Sequence, residues 1–340
     1  MSMTSEPLNP FYANKQNVMR YWDGGKLRPV ESLADWRIRR RHILANMQLV
    51  MGAMPEETRR VPIDLQVLEE VVEQGYVRRK ITFALEHDDR VGAYLFLPRP
   101  VAGKVSGILC LHQTIEIGKS EPAGLGGSEN LQYAKELAQR GYATLAPDYP
   151  GFGDYKIDAY AKGYASATMK GIWNHRRALD LLQFLAEVAG DRLGCIGHSL
   201  GGHNALFLAA FDERVKVSVT SCGFNSFFKY MGGDLSGWSH KGYMPRIAER
   251  YAKDPAKMPF DFTEVIAAIA PRAVFISAPV DDANFEISGV QDCIGAARPV
   301  YELYGRSGQL TALHPDCGHD FPQTARQAAY RFIDRVLAKE

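Results

Sequence analysis

With 340 residues, 46% of them hydrophobic, the chain is long enough for one large domain or two small ones around a sizeable core. Forty basic residues against 39 acidic ones leave a formal net charge of +1, which removes the electrostatic basis for a nucleic-acid or anionic-membrane partner and points to a neutral or weakly charged substrate. The opening twenty residues are polar and carry Pro7 and Pro10 in place of a secretory apolar run, and no stretch of about eighteen apolar residues occurs. Five cysteines, Cys110, Cys195, Cys222, Cys293 and Cys317, stand without any CxxC pair, so isolated thiols and a cytoplasmic location are expected.

Residues 1–70 read as a helical extension packed on the main domain. Ser32-Leu33-Ala34-Asp35 resembles a capping box, and Trp36, Ile38, Ile43, Met47 and Val50 form an approximate apolar stripe. Its helices offer a surface on which a second subunit could pack. The basic cluster Arg37, Arg39, Arg40 and Arg41 reads as a solvated helix face. The main domain, 71–340, opens with strands over 77–85 and 91–97 joined by the His87-Asp88-Asp89-Arg90 turn. Strands and helices then alternate: strand 105–111, helix 130–140, strand 142–146, helix 170–188, strand 193–196, a helix from Asn204, and strand 215–220. Strand 273–277, helix 290–304, strand 309–313 and helix 323–337 complete the series. The predicted fold is α/β, a doubly wound, mostly parallel sheet.

Between about 223 and 261 the alternation lapses into an insertion rich in glycine and aromatics, among them Phe224, Phe227, Trp238 and Tyr243. Its expected place is above the carboxyl edge of the sheet, as a lid or pocket wall, and packing of the rings onto the body is the equally weighted alternative.

The stretch Gly197-His198-Ser199-Leu200-Gly201-Gly202 lies between the strand at 193–196 and the following helix. GxSxG in that context turns the backbone sharply and exposes the serine hydroxyl, with glycines avoiding clashes on both sides. A hydroxyl is a poor nucleophile at neutral pH and needs a base within reach and a carboxylate to orient that base. Candidates follow in the order serine, acid, histidine: Asp281 and Asp282 after the strand at 273–277, and His319 at the junction before the last helix. His314 lies too near its strand and precedes Pro315. Gly118-Lys119-Ser120 fails the phosphate-loop pattern because Gln113 stands where the first glycine is required. His112, Asp316 and Asp320 lack metal-ligand spacing, so no metal and no cofactor is predicted.

Together with Leu111-His112-Gln113-Thr114, Ala146-Pro147-Asp148-Tyr149-Pro150-Gly151-Phe152-Gly153, Ser277-Ala278-Pro279 and Gly318-His319-Asp320-Phe321-Pro322, these motifs make residues 76–338 resemble the α/β-hydrolase superfamily, in its dienelactone hydrolase-like and acetyl xylan esterase-like branch. The resemblance implies Ser199, Asp282 and His319 as a catalytic set cleaving a small-molecule carboxylic ester through an acyl-enzyme, with Asp281 as the fallback acid. Leu200 N–H, at the start of a helix, is one expected oxyanion donor. The second maps onto Thr114, or onto Gln113, which stands where relatives carry glycine. Tyr149, Phe224 and Trp238 are the candidate substrate-contacting rings. The competing readings are a serine peptidase of the prolyl oligopeptidase kind, for which 70 residues are too few to build an upstream propeller, and a non-catalytic binding protein on the same fold.

Overall fold

The computed structural model describes residues 9–100 and 103–338. A short antiparallel pair, β1 (Arg20–Asp23) and β2 (Lys26–Pro29), precedes α1 (Leu33–Met51). The Ser32 and Asp35 side chains close a capping box at the start of α1, and Trp36, Ile43, Met47 and Val50 are buried. The expectation of a helical extension is therefore corrected: among its described residues only 33–51 forms an α-helix, and β3 (Gln66–Glu73) already belongs to the main sheet. β3 escaped detection because it is an edge strand with almost every side chain exposed, so it carries no buried face for a pattern to register.

The arginine cluster of α1 is the second correction. Arg37 and Arg41 are exposed, but Arg39 is fully buried, ion-paired with Glu264 and stacked 3.4 Å over the Tyr12 ring. Arg40 donates to the carbonyls of Ala268 (2.8 Å) and Ala210 (3.0 Å), supplying donors to the ends of two helices that lack intrahelical partners there.

The main sheet continues with β4 (Tyr76–Glu86), β5 (Asp89–Pro98) and β6 (Val105–Leu111), then α2 (Tyr133–Gln139), β7 (Ala143–Pro147), α3 (Ala167–Phe184) and β8 (Val188–His198). α4 (Leu200–Phe211), β9 (Val215–Ser221) and α5 (Arg246–Tyr251) follow. The chain closes with α6 (Phe262–Ile269), β10 (Ala273–Ser277), α7 (Ile287–Leu303), β11 (Leu310–Leu313) and α8 (Gln323–Leu337). Nine strands lie in the order β11-β10-β9-β8-β6-β7-β5-β4-β3; those from β11 to β7 are parallel, and β5, β4 and β3 add antiparallel pairs at one edge. This is the mostly parallel, doubly wound sheet that the alternation predicts. Its two faces are covered by separate apolar clusters, one with α1, α3, α4, α6 and α7 and the other with α2 and α8.

Strand order reverses at β6, whose neighbours are β7 and β8. Crevices outside the carboxyl ends of strands at such a reversal are where open α/β sheets bind ligands. The chain segments leaving β6 and β8 meet there in unusually close contact. A Cβ at Gly201, in the first turn of α4, would lie 1.9 Å from the Leu111 carbonyl oxygen and 2.9 Å from that of His112. A Cβ at Gly197 would lie 2.2 Å from the Gly201 carbonyl oxygen. Both glycines are required by backbone, which cannot yield as a side chain can. Gly201→Ala is expected to destabilise the fold by about 1–3 kcal/mol or more through overpacking. Gly295→Ala, at a position in α7 with nothing within 4 Å of the added methyl, should stabilise it by about 0.5–1 kcal/mol. Urea denaturation of the two variants checks both signs.

Candidate functional site

Ser199 occupies the turn between β8 and α4 with φ 52° and ψ −116°, a left-handed conformation that few non-glycine residues adopt. Its N–H donates to the Ser221 carbonyl (2.8 Å), and its own carbonyl accepts from Gly202 (2.9 Å) and His203 (3.2 Å). The turn is thus tied to β9 on one side and to its own helix on the other. These bonds hold the strained residue, whose side chain is partly exposed at the end of β8.

Asp282 and His319 are brought together from loops 37 residues apart. His319 Nδ1 lies 3.0 Å from both Asp282 carboxylate oxygens. Asp282 Oδ1 also accepts from the backbone N–H of Asn284 (2.8 Å) and Phe285 (3.2 Å), so the loop closes around the carboxylate. Burial works to raise this carboxyl, but His319, the Asn284 N–H and the Cys222 thiol outweigh it and hold the group below its ordinary range. Asp281 is exposed and uses its N–H on the Cys317 carbonyl, so the structure pairs Asp282 with the imidazole. His314 turns away and bonds the Ala278 carbonyl (2.9 Å).

The His319 side chain is 23% exposed, and its ring meets the His198 ring edge-on at 4.9 Å. His198 immediately precedes Ser199, so the imidazole lies over the end of β8. Among the described residues, Ser199 Oγ and His319 form no hydrogen bond, a common condition before a substrate tightens such a site. His198 Nδ1 is 3.0 Å from Ser221 Oγ, and burial, reinforced by neighbouring His319, pushes its pKa down to about 3. A neutral ring therefore faces His319, although sequence reasoning gave His198 no role. The loop carrying His319 is fastened by Asn130 Nδ2 donating to Asp320 Oδ2 (2.6 Å) and by Arg326 donating to the Phe321 carbonyl (2.8 Å).

Cys222 is also at this site, at φ 48°, with its sulfur donating to the Asp320 carbonyl (3.4 Å). Ligand atoms of Cys222, Asp282 and His319 lie within 4.8 Å of one another. Burial first, and then the Asp282 charge, push the Cys222 thiol far up, so it is neutral there.

The segment after β6 lies against the first turn of α4. His112 fixes its path: Tyr149 N–H can only donate, so the Nε2 it reaches at 2.9 Å is an acceptor, and Nδ1 carries the proton donated to the Gln113 carbonyl (2.6 Å). Burial lowers the pKa of His112 and favours this neutral form. The Gln113 side chain runs to Glu121 Oε1 (3.0 Å), anchoring the loop. Thr114 is exposed, its N–H has no acceptor among the described residues, and its hydroxyl is 3.2 Å from that of Tyr243. Leu200 is the first residue of α4 and is buried.

The three ring candidates are all buried. Phe224 is 1% exposed and stacks with Phe262, and Trp238 is 2% exposed among Phe227, Tyr230, Phe262 and Phe285. Tyr149 is buried and donates to the Gly242 carbonyl (3.1 Å). These rings fasten the insertion to the body.

Comparison with known proteins agrees with this architecture. Residues 154–305 match the family model described as glucuronyl esterase, fungi. The chain is 27% identical over 304 residues to the Bacillus subtilis protein YtaP, provisionally named a hydrolase, covering 85% of this chain and 96% of that one. It is 23% identical over 336 residues to 4-O-methyl-glucuronoyl methylesterase 1 of Wolfiporia cocos, covering 92% and 78%. Among solved structures, a glucuronoyl esterase from Solibacter usitatus superposes with a TM-score of 0.77 at 20% identity, over 97% of this chain and 99% of the other. The chain has the α/β-hydrolase fold.

Asp282→Asn should lower turnover by about 10⁴ if the carboxylate sets the imidazole tautomer, whereas Asp281→Asn should change it little. Because the Asp282 carboxyl is held low, it stabilises the fold above its unfolded value near pH 4 and loses that contribution as pH falls through its depressed value. Acid titration of unfolding should therefore be flatter for Asp282→Asn than for the wild type.

Proposed function

We propose that this α/β-hydrolase-fold chain is a carboxylic ester hydrolase that works through an acyl-enzyme on Ser199. The observation that carries the reading is the Asp282–His319 pair, set with its imidazole against the residue preceding the strained serine. The turn at Ser199 serves as a nucleophile elbow. Ser199 Oγ attacks the ester carbonyl carbon while His319 Nε2 takes the hydroxyl proton, and Nδ1–H stays on Asp282. The tetrahedral intermediate collapses as His319 returns the proton to the departing alcohol. Water, deprotonated by the same nitrogen, then attacks the acyl carbon and releases the acid and free Ser199.

Negative charge on the carbonyl oxygen is met by Leu200 N–H at the start of α4, where the helix dipole also favours an anion. For the second donor the reading takes Thr114 N–H over Gln113 N–H. A trans peptide directs its C=O and N–H oppositely. With the Gln113 carbonyl held inward by His112, the N–H of the same peptide unit, that of Thr114, faces away from that anchor. Tyr149 N–H holds His112, and Trp238 packs on Phe285 beside His319.

Glucuronoyl and methyl esters enter the substrate list because similar proteins carry those names. Among the described residues no helix is long and apolar enough to cross a membrane. A cytoplasmic location belongs to the reading, supported by five cysteines that the structure leaves unpaired.

Ser199→Ala is expected to cut ester turnover by about 10⁶, and a fluorophosphonate should label the wild type at Ser199, as read by mass spectrometry of the labelled peptide. Near-native turnover in Ser199→Ala defeats the proposal. Nitrophenyl esters of increasing acyl length, run beside acetylated sugars and methyl uronates, rank the acyl groups, and preference for an aminoacyl anilide would move the assignment to a peptidase.

A further inference from the structure

The insertion reaches back to the segment that follows β6. Its residues 241–243 are tied down by three hydroxyls from elsewhere: Tyr149 on the Gly242 carbonyl (3.1 Å), Tyr160 on the Lys241 carbonyl (2.7 Å) and Thr114 on the Tyr243 hydroxyl (3.2 Å). Thr168 N–H adds a bond to the Tyr243 carbonyl (3.3 Å). The Tyr243 ring is braced by His203 of α4 at 5.3 Å, Trp238 at 5.9 Å and His240 at 4.3 Å. A ring so braced has little freedom to withdraw its hydroxyl. Burial raises the Tyr243 phenol above its ordinary value, so it is protonated and can give or take the bond to Thr114.

Thr114 is exposed and lies in the segment packed on the first turn of α4. Its backbone is held at one end by His112 through the Gln113 carbonyl, and beyond it the next bond in this stretch is Gly118 N–H to the Ile115 carbonyl (3.0 Å). Without Tyr243, the Thr114 N–H would be steered by its own peptide plane alone. From this geometry, and resting on the ester-hydrolase reading above, we infer that Tyr243 is a positioning residue for the oxyanion site. Its hydroxyl latches the Thr114 side chain and so aims the Thr114 N–H at the oxygen that gains charge.

A latch of this kind acts where charge develops, so it favours the transition state over the bound ester and shows in kcat more than in KM. Tyr243→Phe keeps the ring and its packing and removes only the hydroxyl; it should lower kcat by about tenfold or more, below the ~10² to 10³ lost with a whole donor, with KM within about twofold. Thr114→Val should match it, Thr114→Ser should retain activity, and the double variant should lose no more than either single one. Tyr160→Phe, which removes a different tether of the same insertion, should leave kcat within about twofold.

Unchanged kcat in Tyr243→Phe, additive losses in the double variant, or an equal loss in Tyr160→Phe each overturns the latch while Ser199 still takes the fluorophosphonate label. Failure of the wild type to label at Ser199 overturns the ester-hydrolase reading and the latch with it.

Discussion

The approach of α4 to the end of β6 at Gly201 is the constraint on which the site depends. Backbone touches backbone there, so the serine at the head of α4 and the segment from His112 to Thr114 are held at a fixed separation. A Cβ at Gly201 would lie 1.9 Å from the Leu111 carbonyl oxygen, so any side chain there would push the two apart. An oxyanion site requires donors placed to within fractions of an ångström, and contact between two rigid elements provides that more reliably than any loop could.

Around this contact, the parts outside the sheet act as braces. Arg40 of α1 bonds the Ala210 carbonyl at the far end of the helix whose near end follows Ser199, and the Ala268 carbonyl of α6. Arg39 pairs with Glu264, which itself closes the capping box at the start of α6 with Asp261. A buried ion pair gives little net stability once desolvation is counted, but removing one partner is costly. The extension is therefore registered to α4 and α6 through charged groups that resist slippage, and packing of α1 fixes the outer face of the layer that carries the serine.

The alternating core of the fold was legible because buried strands and amphipathic helices leave periodic apolar residues. β6, β9 and β10 were anticipated to within about a residue, and α8 at its bounds. Ser199, an acid at 281 or 282 and His319 were expected at strand ends in that order, and the structure brings Asp282 and His319 together. The strands that escaped had no periodic signature. β3 is an exposed edge, and β1 and β2 are four residues each. Arg39 and Arg40 look like any surface run, since burial of a charge depends on Glu264 and on helix ends 170 and 228 residues away in sequence. Gln113, read as a departure from a glycine pattern, could be understood only once Glu121 was seen to hold its side chain.

The aromatic insertion illustrates how composition and placement carry different information. Its rings suggest a binding wall, yet Phe224 and Trp238 are almost wholly enclosed. From Trp238 the contacts run in two directions: to Tyr243 and hence to Thr114 on one side, and to Phe285 and hence to His319 on the other, with ring separations of 5.9–6.1 Å. Aromatic rings transmit position well because they are stiff and pack densely. The insertion thus spans the serine from the Thr114 side to the His319 side. An element that touches both sides registers them against one another: Trp238 packs on the tyrosine bonded to Thr114 and on the phenylalanine beside His319, where no strand joins the two.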